Sequence, residues 1–483
     1  MTQLSDMSLL KSDGYINGTW VQAQDDKRFP VFNPATGEVI AHVADLGAAE
    51  AEQAVAAAQE AFTHWRQLTA KARANILSRW HQLVIDNQED LARIMTMEQG
   101  KVLSEARLEV GSTAAFIHWY MEEGKRAYGS VIPTIAGSRR QVTIKQPIGV
   151  VGAVTPWNFP SAMIARKCAP AFAAGCSFVC KPAAETPLSA LALCELADRA
   201  GLPAGLMNMI PGTDAQAIGE ILTTHPKVQK FTFTGSTPVG KHLLGQCAST
   251  VKKASMELGG NAPVLIFDDA DLDQAVMGAL GSKYRNAGQT CICANRIMVQ
   301  DGIYDDFVKK FTDMVNLFKL GNGLNEENTM GPLITANATQ KMQELVDDAK
   351  SKGATITTGG SIHDGQFYKP TVITNVSRDM RVFDEEIFGP IAPIYRFKTE
   401  EEAITMANDT EFGLAAYFYS RDIGRVWRVS EALDYGMIGA NEVAISSEVI
   451  PFGGWKQSGL GREGAKEGLD EYMEQKFICM GGI

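Results

Sequence analysis

The chain has 483 residues, with 45 Lys and Arg against 56 Asp and Glu, a formal net charge of −11 and 45% hydrophobic residues. A chain of this length buries roughly three quarters of its unfolded surface and has room for about three domains or one multi-part enzyme. Its modest charge content separates it from disordered sequences, and its acidic balance argues against a nucleic-acid binder, which needs clustered Lys and Arg.

The start, Met1-Thr-Gln-Leu-Ser-Asp6, has neither a basic-then-apolar leader nor an Arg-rich transit pattern, so a mature protein beginning near Met1 is expected. Ala48 to Thr69 and Lys71 to Gly100 place apolar residues at 3.6-residue spacing and predict helices. From Gln141 the pattern changes. Gln141 to Lys145 alternates as a half-buried strand, and Gly149 to Val154 reads as a fully buried one. The most apolar stretch, Cys168 to Cys180, runs thirteen residues, short of the ~18 of a membrane span, and is read as a buried element.

Strands then alternate with helices: Ser177 to Cys180 before Ser189 to Ala200, Leu206 to Ile210 before Asp214 to Thr223, and Val228 to Thr234 before Pro238 to Ser249. A second set follows, with Pro263 to Phe267, Asp271 to Arg285, Arg296 to Val299 and Tyr304 to Phe318. This alternation predicts an α/β fold with parallel sheets, as two units meeting near residue 258. Gln141 to Gln146 and Glu474 to Met480 read as edge or subunit-contact strands. Eight cysteines without a CxxC pair, and histidines without metal-ligand spacing, describe reduced thiols in a cytosolic protein with no metal centre.

Two glycine loops invite a phosphate reading. Gly459-Leu-Gly-Arg-Glu-Gly464 matches GxGxxG but follows a polar glycine loop instead of a buried strand, so plain loop chemistry is expected there. Gly235-Ser-Thr-Pro-Val-Gly240-Lys241-His242 follows the strand Lys230 to Thr234 and opens a helix. His242 stands where a triphosphatase needs a Ser or Thr for magnesium, which leaves an anion seat for a dinucleotide pyrophosphate, aided by the Ser236 hydroxyl, or a mere turn. Lys181 adds a cation at a second strand end.

Cys291 and Cys293 lie in Asn286-Ala-Gly-Gln-Thr-Cys291-Ile-Cys293, on a glycine-containing connection between a helix and a strand. Such a cysteine is either inert packing or a nucleophile; turn amides would favour the reactive thiolate. Attack on a carbonyl creates an oxyanion that needs a preorganised donor, and Thr155-Pro-Trp-Asn158-Phe-Pro160 aims a neutral amide from a stiffened loop. Glu257, between Met256 and Leu258 and before two glycines, is a surface carboxylate or a desolvated base.

Together, Gln289-Thr-Cys291, Pro156-Trp-Asn158-Phe-Pro160, Glu257-Leu-Gly-Gly260, Phe233-Thr-Gly-Ser236-Thr and Glu386-Ile-Phe388-Gly-Pro390 resemble the aldehyde dehydrogenase superfamily, in its order and over essentially the whole chain. The resemblance implies a Rossmann-like cofactor domain (1–126 and 148–258), an α/β catalytic domain (259–458) and a small β oligomerisation flap (127–147 and 459–483), in a homodimer or homotetramer. It implies Cys291 as nucleophile, Asn158 with the Cys291 amide as oxyanion hole, and Glu257 as the base for deacylation. Thiolate adds to the aldehyde, hydride leaves to a nicotinamide, and the thioester is hydrolysed. Glu386 and Phe388 resemble the residues that hold the nicotinamide ribose and ring, while Trp157, Gly235, Ser236 and Leu258 line the cofactor path.

Within that family, NAD-preferring members carry a Glu where this chain has Ala184, three residues after Lys181. A carboxylate there would repel a 2′-phosphate, so its absence predicts acceptance of NADP, preferred over NAD, with the adjacent Glu185 as the opposing feature. Phe159 to Lys167, Lys283 to Cys293 and Ile445-Ser446-Ser447 resemble the succinate-semialdehyde dehydrogenases most closely. The resemblance implies a small semialdehyde substrate whose carboxylate pairs with Arg166 and Arg285, helped by Ser446. Cys293 matches a pair that closes with the nucleophile under oxidation in some relatives. A glutarate-semialdehyde dehydrogenase, a broader aldehyde dehydrogenase, a CoA-acylating relative and a non-catalytic cofactor-binding protein remain as alternatives.

Overall fold

The computed structural model describes residues 4–482. Its largest sheet has eight strands in the order Thr19–Val21, Gly14–Ile16, Met207–Met209, Ser177–Lys181, Val150–Val154, Val228–Thr234, Lys253–Glu257 and Gly459–Leu460. The middle five are parallel, and antiparallel strands close both edges. Val150 and Val179 pack on one face, and Val151, Ala153 and Phe178 on the other. Both faces are therefore buried, which is why these strands read as continuous apolar runs.

The second sheet has seven strands in the order Thr355–Thr358, Thr371–Thr374, Ile391–Phe397, Ala294–Gln300, Ala262–Ile266, Ala415–Tyr419 and Met437–Ala440, and only its first pair is antiparallel. The chain crosses from the first sheet to the second between Glu257 and Ala262. A third sheet pairs Met473–Gly481 with Arg139–Pro147, and the latter with Ser130–Ile132. Its outer surface exposes Val131, Phe477 and Met480.

Helices Ala48–Trp65, Ala70–Asp86, Gln88–Gln99 and Leu103–Glu123 cover the first sheet's side of the molecule. Trp65 and Trp80 are fully buried, and their indole N–H groups donate to Phe172 O (2.9 Å) and Leu193 O (3.2 Å). Each such ring contributes roughly 1.5–3 kcal/mol by burial, and the donated bond removes the penalty of hiding a polar tip.

Local differences from the sequence expectation have local causes. The single helix expected over Lys71 to Gly100 is two helices, because Asn87 leaves helical geometry and bonds its side chain back to Leu83 O. The apolar stretch Cys168 to Cys180 is also two elements, the end of helix Ala162–Ala174 and the strand Ser177–Lys181, divided at Gly175. Gly459–Leu460 pairs with Met256 and Glu257 in the first sheet, apart from the three-stranded sheet that holds Met473–Gly481. Among the described residues no helix is long and apolar enough to cross a membrane.

Candidate active site

The first sheet sets the frame. From Val150–Val154 the chain builds outward on one side through Ser177–Lys181 and Met207–Met209, then returns to the other through Val228–Thr234 and Lys253–Glu257. The crevice at that reversal, beyond the strands' carboxyl ends, is where open α/β sheets take ligands. Trp157 and Asn158 follow one flanking strand, and Gly235 and Ser236 follow the other. Ser236 N-caps helix Thr237–Cys247 with no side-chain cap bond, so its exposed hydroxyl and the first helical amides are free for an anion. Leu258 packs so closely on this turn that a side chain at Gly240 would collide with it.

Lys181 ends strand Ser177–Lys181, almost wholly buried, and its ammonium donates to Pro182 O at 3.3 Å. Burial pulls its ammonium pKa down, and Glu185 opposes that most among its neighbours. Ala184 is half-buried beside it and Glu185 is exposed. Among the described residues no carboxylate lies within ion-pair distance of this ammonium, with Glu185 foremost among the acidic groups that act on it from farther away.

The nucleophile candidate sits in the second sheet's territory, between helix Leu272–Tyr284 and strand Ala294–Gln300. Asn286 (φ 51°), Ala287 (φ 53°) and Gly288 (φ 77°) are consecutive left-handed residues. A side chain at Gly288 would meet Gly389 O at 2.2 Å, so both conformation and space demand glycine. Gly260 is needed for approach alone, since a Cβ there would lie 2.5 Å from Cys291 O. The Glu257-Leu-Gly-Gly260 turn thus packs directly on the cysteine loop.

Asn158 is buried and binds this loop from the first sheet: its Nδ2 donates to Gln289 O at 3.0 Å. Its own carbonyl accepts from Lys101 Nζ (2.8 Å) and Asn286 Nδ2 (3.1 Å). Lys101 is in turn paired with Glu109, whose other oxygen accepts from the Ser161 and Ala162 amides. Glu105 accepts from the Asn286 amide.

Cys291 is half-buried, yet so closely surrounded that its thiol pKa is pushed up to about 12 by desolvation, with the Glu386 and Glu257 carboxylates adding to it and Arg166 opposing. This corrects the expectation that the turn would favour thiolate: low-dielectric walls outweigh the turn's amides, and the Asn158 amide is committed to Gln289 O. Glu257 lies at the end of strand Lys253–Glu257 with both carboxylate oxygens buried and unpartnered, and burial with the nearby Glu463 holds its pKa well above the carboxylate range. It is therefore a desolvated carboxylate and not a surface one.

Glu386 accepts from the Gly260 amide at 3.0 Å, and burial raises its pKa to about 7. Phe388 holds a left-handed backbone (φ 55°), sparsely populated for an aromatic residue, and meets Trp157 edge-on with centroids 5.6 Å apart. Cys293 is buried, its thiol directed to Lys283 O at 3.4 Å.

A cavity of about 580 Å³ opens onto Cys291 and is lined also by Arg166, Arg285, Ser446, Phe159 and Phe452. Arg166 is sandwiched between Phe116 and Phe452, 4.9 and 4.2 Å from their centroids, and donates to Ser446 Oγ at 3.1 Å. Its Nε and Nη1 are buried without a hydrogen-bond partner. Arg285 is exposed at the rim, stacked over Phe159 at 5.1 Å.

The structure thus gathers Cys291, Arg166, Arg285 and Ser446 on one cavity, with Glu257, Asn158 and Glu386 packed against the cysteine loop. Trp157, Lys181, Gly235, Ser236 and Leu258 belong to the neighbouring crevice. Sequence reasoning missed Lys101, Glu105, Glu109, Lys167 and Glu463. Lys167 and Glu463 form a buried ion pair behind Glu257, and Glu463 comes from the Gly459 to Gly464 stretch that reads as loop chemistry alone. Adjacency to Arg166 was the only sequence signal for Lys167.

Residues 20–478 match the model of the aldehyde dehydrogenase family. The chain is 57% identical over 485 residues to a 3-sulfolactaldehyde dehydrogenase of Pseudomonas putida and 55% identical over 483 residues to a glutarate-semialdehyde dehydrogenase of Pseudomonas aeruginosa, each alignment covering 100% of both chains. A solved succinate-semialdehyde dehydrogenase from Burkholderia pseudomallei superposes with a TM-score of 0.98 at 54% identity, over 99% of this chain and 100% of that one. With a cysteine, an amide and a desolvated carboxylate gathered beside a dinucleotide-type crevice, and with this likeness over its full length, the chain belongs to the aldehyde dehydrogenase family and is an enzyme of it.

Proposed function

We propose that the protein oxidises succinic semialdehyde to succinate with NADP, and less efficiently with NAD, through a cysteine thioester. The observation that carries the substrate class is Arg166: a buried guanidinium on the Cys291 cavity, fixed by two aromatic rings and Ser446, with Glu463 Oε2 no nearer than 3.9 Å to its Nη1. A carboxylate at the far end of a short aldehyde would answer that charge more closely than Glu463 does, in the planar geometry a guanidinium favours. Arg285 at the rim draws the anion in.

Cys291 attacks the aldehyde carbon after losing its proton. The Asn158 amide leaves Gln289 O for the developing oxyanion, joined by the Cys291 backbone amide. When bound, the dinucleotide supplies the hydride acceptor. Ser236 and the helix it caps suit the pyrophosphate, Glu386 the ribose, and Trp157 with Phe388 the nicotinamide ring. Glu257, with both oxygens free, takes a proton from the water that cleaves the thioester, and its raised pKa makes it a stronger base than an exposed carboxylate.

Ala184 leaves space, and Lys181 a charge, for a 2′-phosphate. The ratio of kcat/KM for NADP over NAD is expected to exceed one; a strong NAD preference overturns this reading. For the substrate, R166A should raise KM for succinic semialdehyde far more than for an uncharged aldehyde of the same length, by a factor of about 100 or more, the loss of one bidentate charged pair. Equal effects on both would remove Arg166 from the role.

A second reading is favoured by cavity size. The 580 Å³ space exceeds what a four-carbon chain fills, and one methylene is worth only about 1–3 kcal/mol in a pocket, so glutarate semialdehyde is the close competitor. We also read 1–126 with 148–258, 259–458, and 127–147 with 459–483 as cofactor, catalytic and oligomerising segments. The exposed Val131, Phe477 and Met480 support burial of the flap between copies, in a dimer or tetramer. An oxidative Cys291–Cys293 link would require the Cys293 thiol to leave Lys283 O.

A further inference from the structure

A second cavity, of about 310 Å³, lies between the N-terminal helices and the base of the three-stranded sheet and shares no residue with the Cys291 cavity. Four cations from four different elements line it: Arg66 at the end of helix Ala48–Trp65, Arg73 in the first turn of helix Ala70–Asp86, Lys125, and Lys145 of strand Arg139–Pro147. In a chain with net charge −11, such a convergence of one sign runs against the average surface.

The two lysines carry counterions, Glu122 at 2.6 Å from Lys125 and Asp470 beside Lys145. The two arginines do not. Arg66 stacks over Phe62 at 5.0 Å and has no ion pair among the described residues. Arg73 is nine-tenths buried, and its Nε and Nη1 donate only to the Ala173 and Leu68 carbonyls, which fix the guanidinium plane and leave Nη2 for the cavity. Burial lowers the Arg73 pKa and no carboxylate offsets the shift. A desolvated charge without its counterion is unfavourable in a folded chain, so the Arg73 guanidinium is incomplete as a purely internal structure.

Ala70 also lines the space at the start of a 17-residue helix whose Thr69 hydroxyl already accepts from the Ala72 amide, while Gly124 and Ala174 bring the carbonyl ends of two other helices, so the cations alone set the sign of the cavity. The two guanidinium groups without counterions match a compact, doubly charged oxyanion, and the volume admits one or two tetrahedral phosphate groups or a small polycarboxylate.

We propose that this cavity is a binding site for a small multiply charged oxyanion of the phosphate or polycarboxylate class, separate from the cofactor crevice. The test is calorimetric and thermal titration of the intact protein, saturated with the dinucleotide it uses so that the crevice is filled, against inorganic pyrophosphate and citrate, with sodium chloride at equal ionic strength as control. Both oxyanions, or one of them, should bind and raise the Tm beyond the chloride control, and the stronger of the two identifies the chemistry preferred. The surface double variant R66S/K125Q should bind about tenfold more weakly with kcat unchanged. R73M should abolish the response; the loss of its bonds to Ala173 O and Leu68 O lowers the anion-free Tm, so the response is read as the shift in Tm on adding oxyanion to each protein. No response beyond chloride, or an undiminished one in R66S/K125Q, overturns the proposal. So does a change of oligomeric state in R66S/K125Q without any oxyanion response of the wild type, which would assign the counterion to a carboxylate of a second copy.

Discussion

The two halves of the candidate active site are built on different physics. Asn158, Ser236 and Glu257 stand at or just past the ends of regular parallel strands, where backbone direction follows from ladder hydrogen bonds. Cys291 stands three residues past a run of three left-handed residues, in a loop held from outside by the Asn158 amide and carbonyl, by Glu105 of the N-terminal segment, and by close contact with Gly260 and Gly389. One half is positioned by secondary structure, and the other by tertiary contacts alone. Strain of this kind persists only when its surroundings over-determine it.

The largest effect that separates them concerns Glu257. E257Q keeps the strand and the shape but removes the base, so kcat should fall by about 10²–10⁴ while the first turnover, read as a burst of reduced cofactor, survives. Loss of the burst along with turnover would assign Glu257 to the first half-reaction as well. The pH profile sharpens the point. Burial raises the pKa of both Cys291, to about 12, and Glu257, and each acts deprotonated. In the wild type kcat/KM, which reports Cys291, and kcat, which reports Glu257 when hydrolysis limits turnover, should therefore both climb with pH through neutrality; a fall in either above pH 7 would contradict these directions.

The next effect tests the tertiary half. Lys101 ties Glu109 to the Asn158 carbonyl from a fully buried position, and removal of one member of a buried pair costs about 3–5 kcal/mol. K101M should lower the Tm and also kcat, with KM for the aldehyde little changed. A variant that loses stability with kcat intact would make Lys101 purely structural.

The smallest effect is A287G. Relief of a left-handed non-glycine residue should stabilise by about 1 kcal/mol or less, offset in part by lost packing of the methyl group. Chemical denaturation reads it directly, and a destabilisation beyond 1 kcal/mol would show that packing, and not strain, governs the loop.

This division explains what could be read in advance. Val228 to Thr234 was legible to the residue, because Phe231-Thr-Phe-Thr234 strings aromatic and β-branched residues up to the Gly235 turn. The break at Asn87 was not, since an amide folding back on Leu83 O leaves the apolar period undisturbed. Arg166 and Cys291 were nameable from motif, but the sense of the thiol's pKa was not, because local amides are visible in sequence and the walls around them are not.

By itself, the order of residues determined the alternation of strands and helices, the parallel sheets, the family and the candidates for the reacting groups, since each depends on neighbours within a few positions or on a contiguous motif. Only the tertiary structure decided that Lys101, Glu109, Lys167 and Glu463 stand behind the candidate reacting groups, that Arg166 is buried between two aromatic rings while Arg285 lies at the rim, and that Arg66 and Arg73 face one cavity without counterions among the described residues. The reason is desolvation: whether a charge is paired, bare or wet depends on atoms tens to hundreds of residues away, and no local pattern records that.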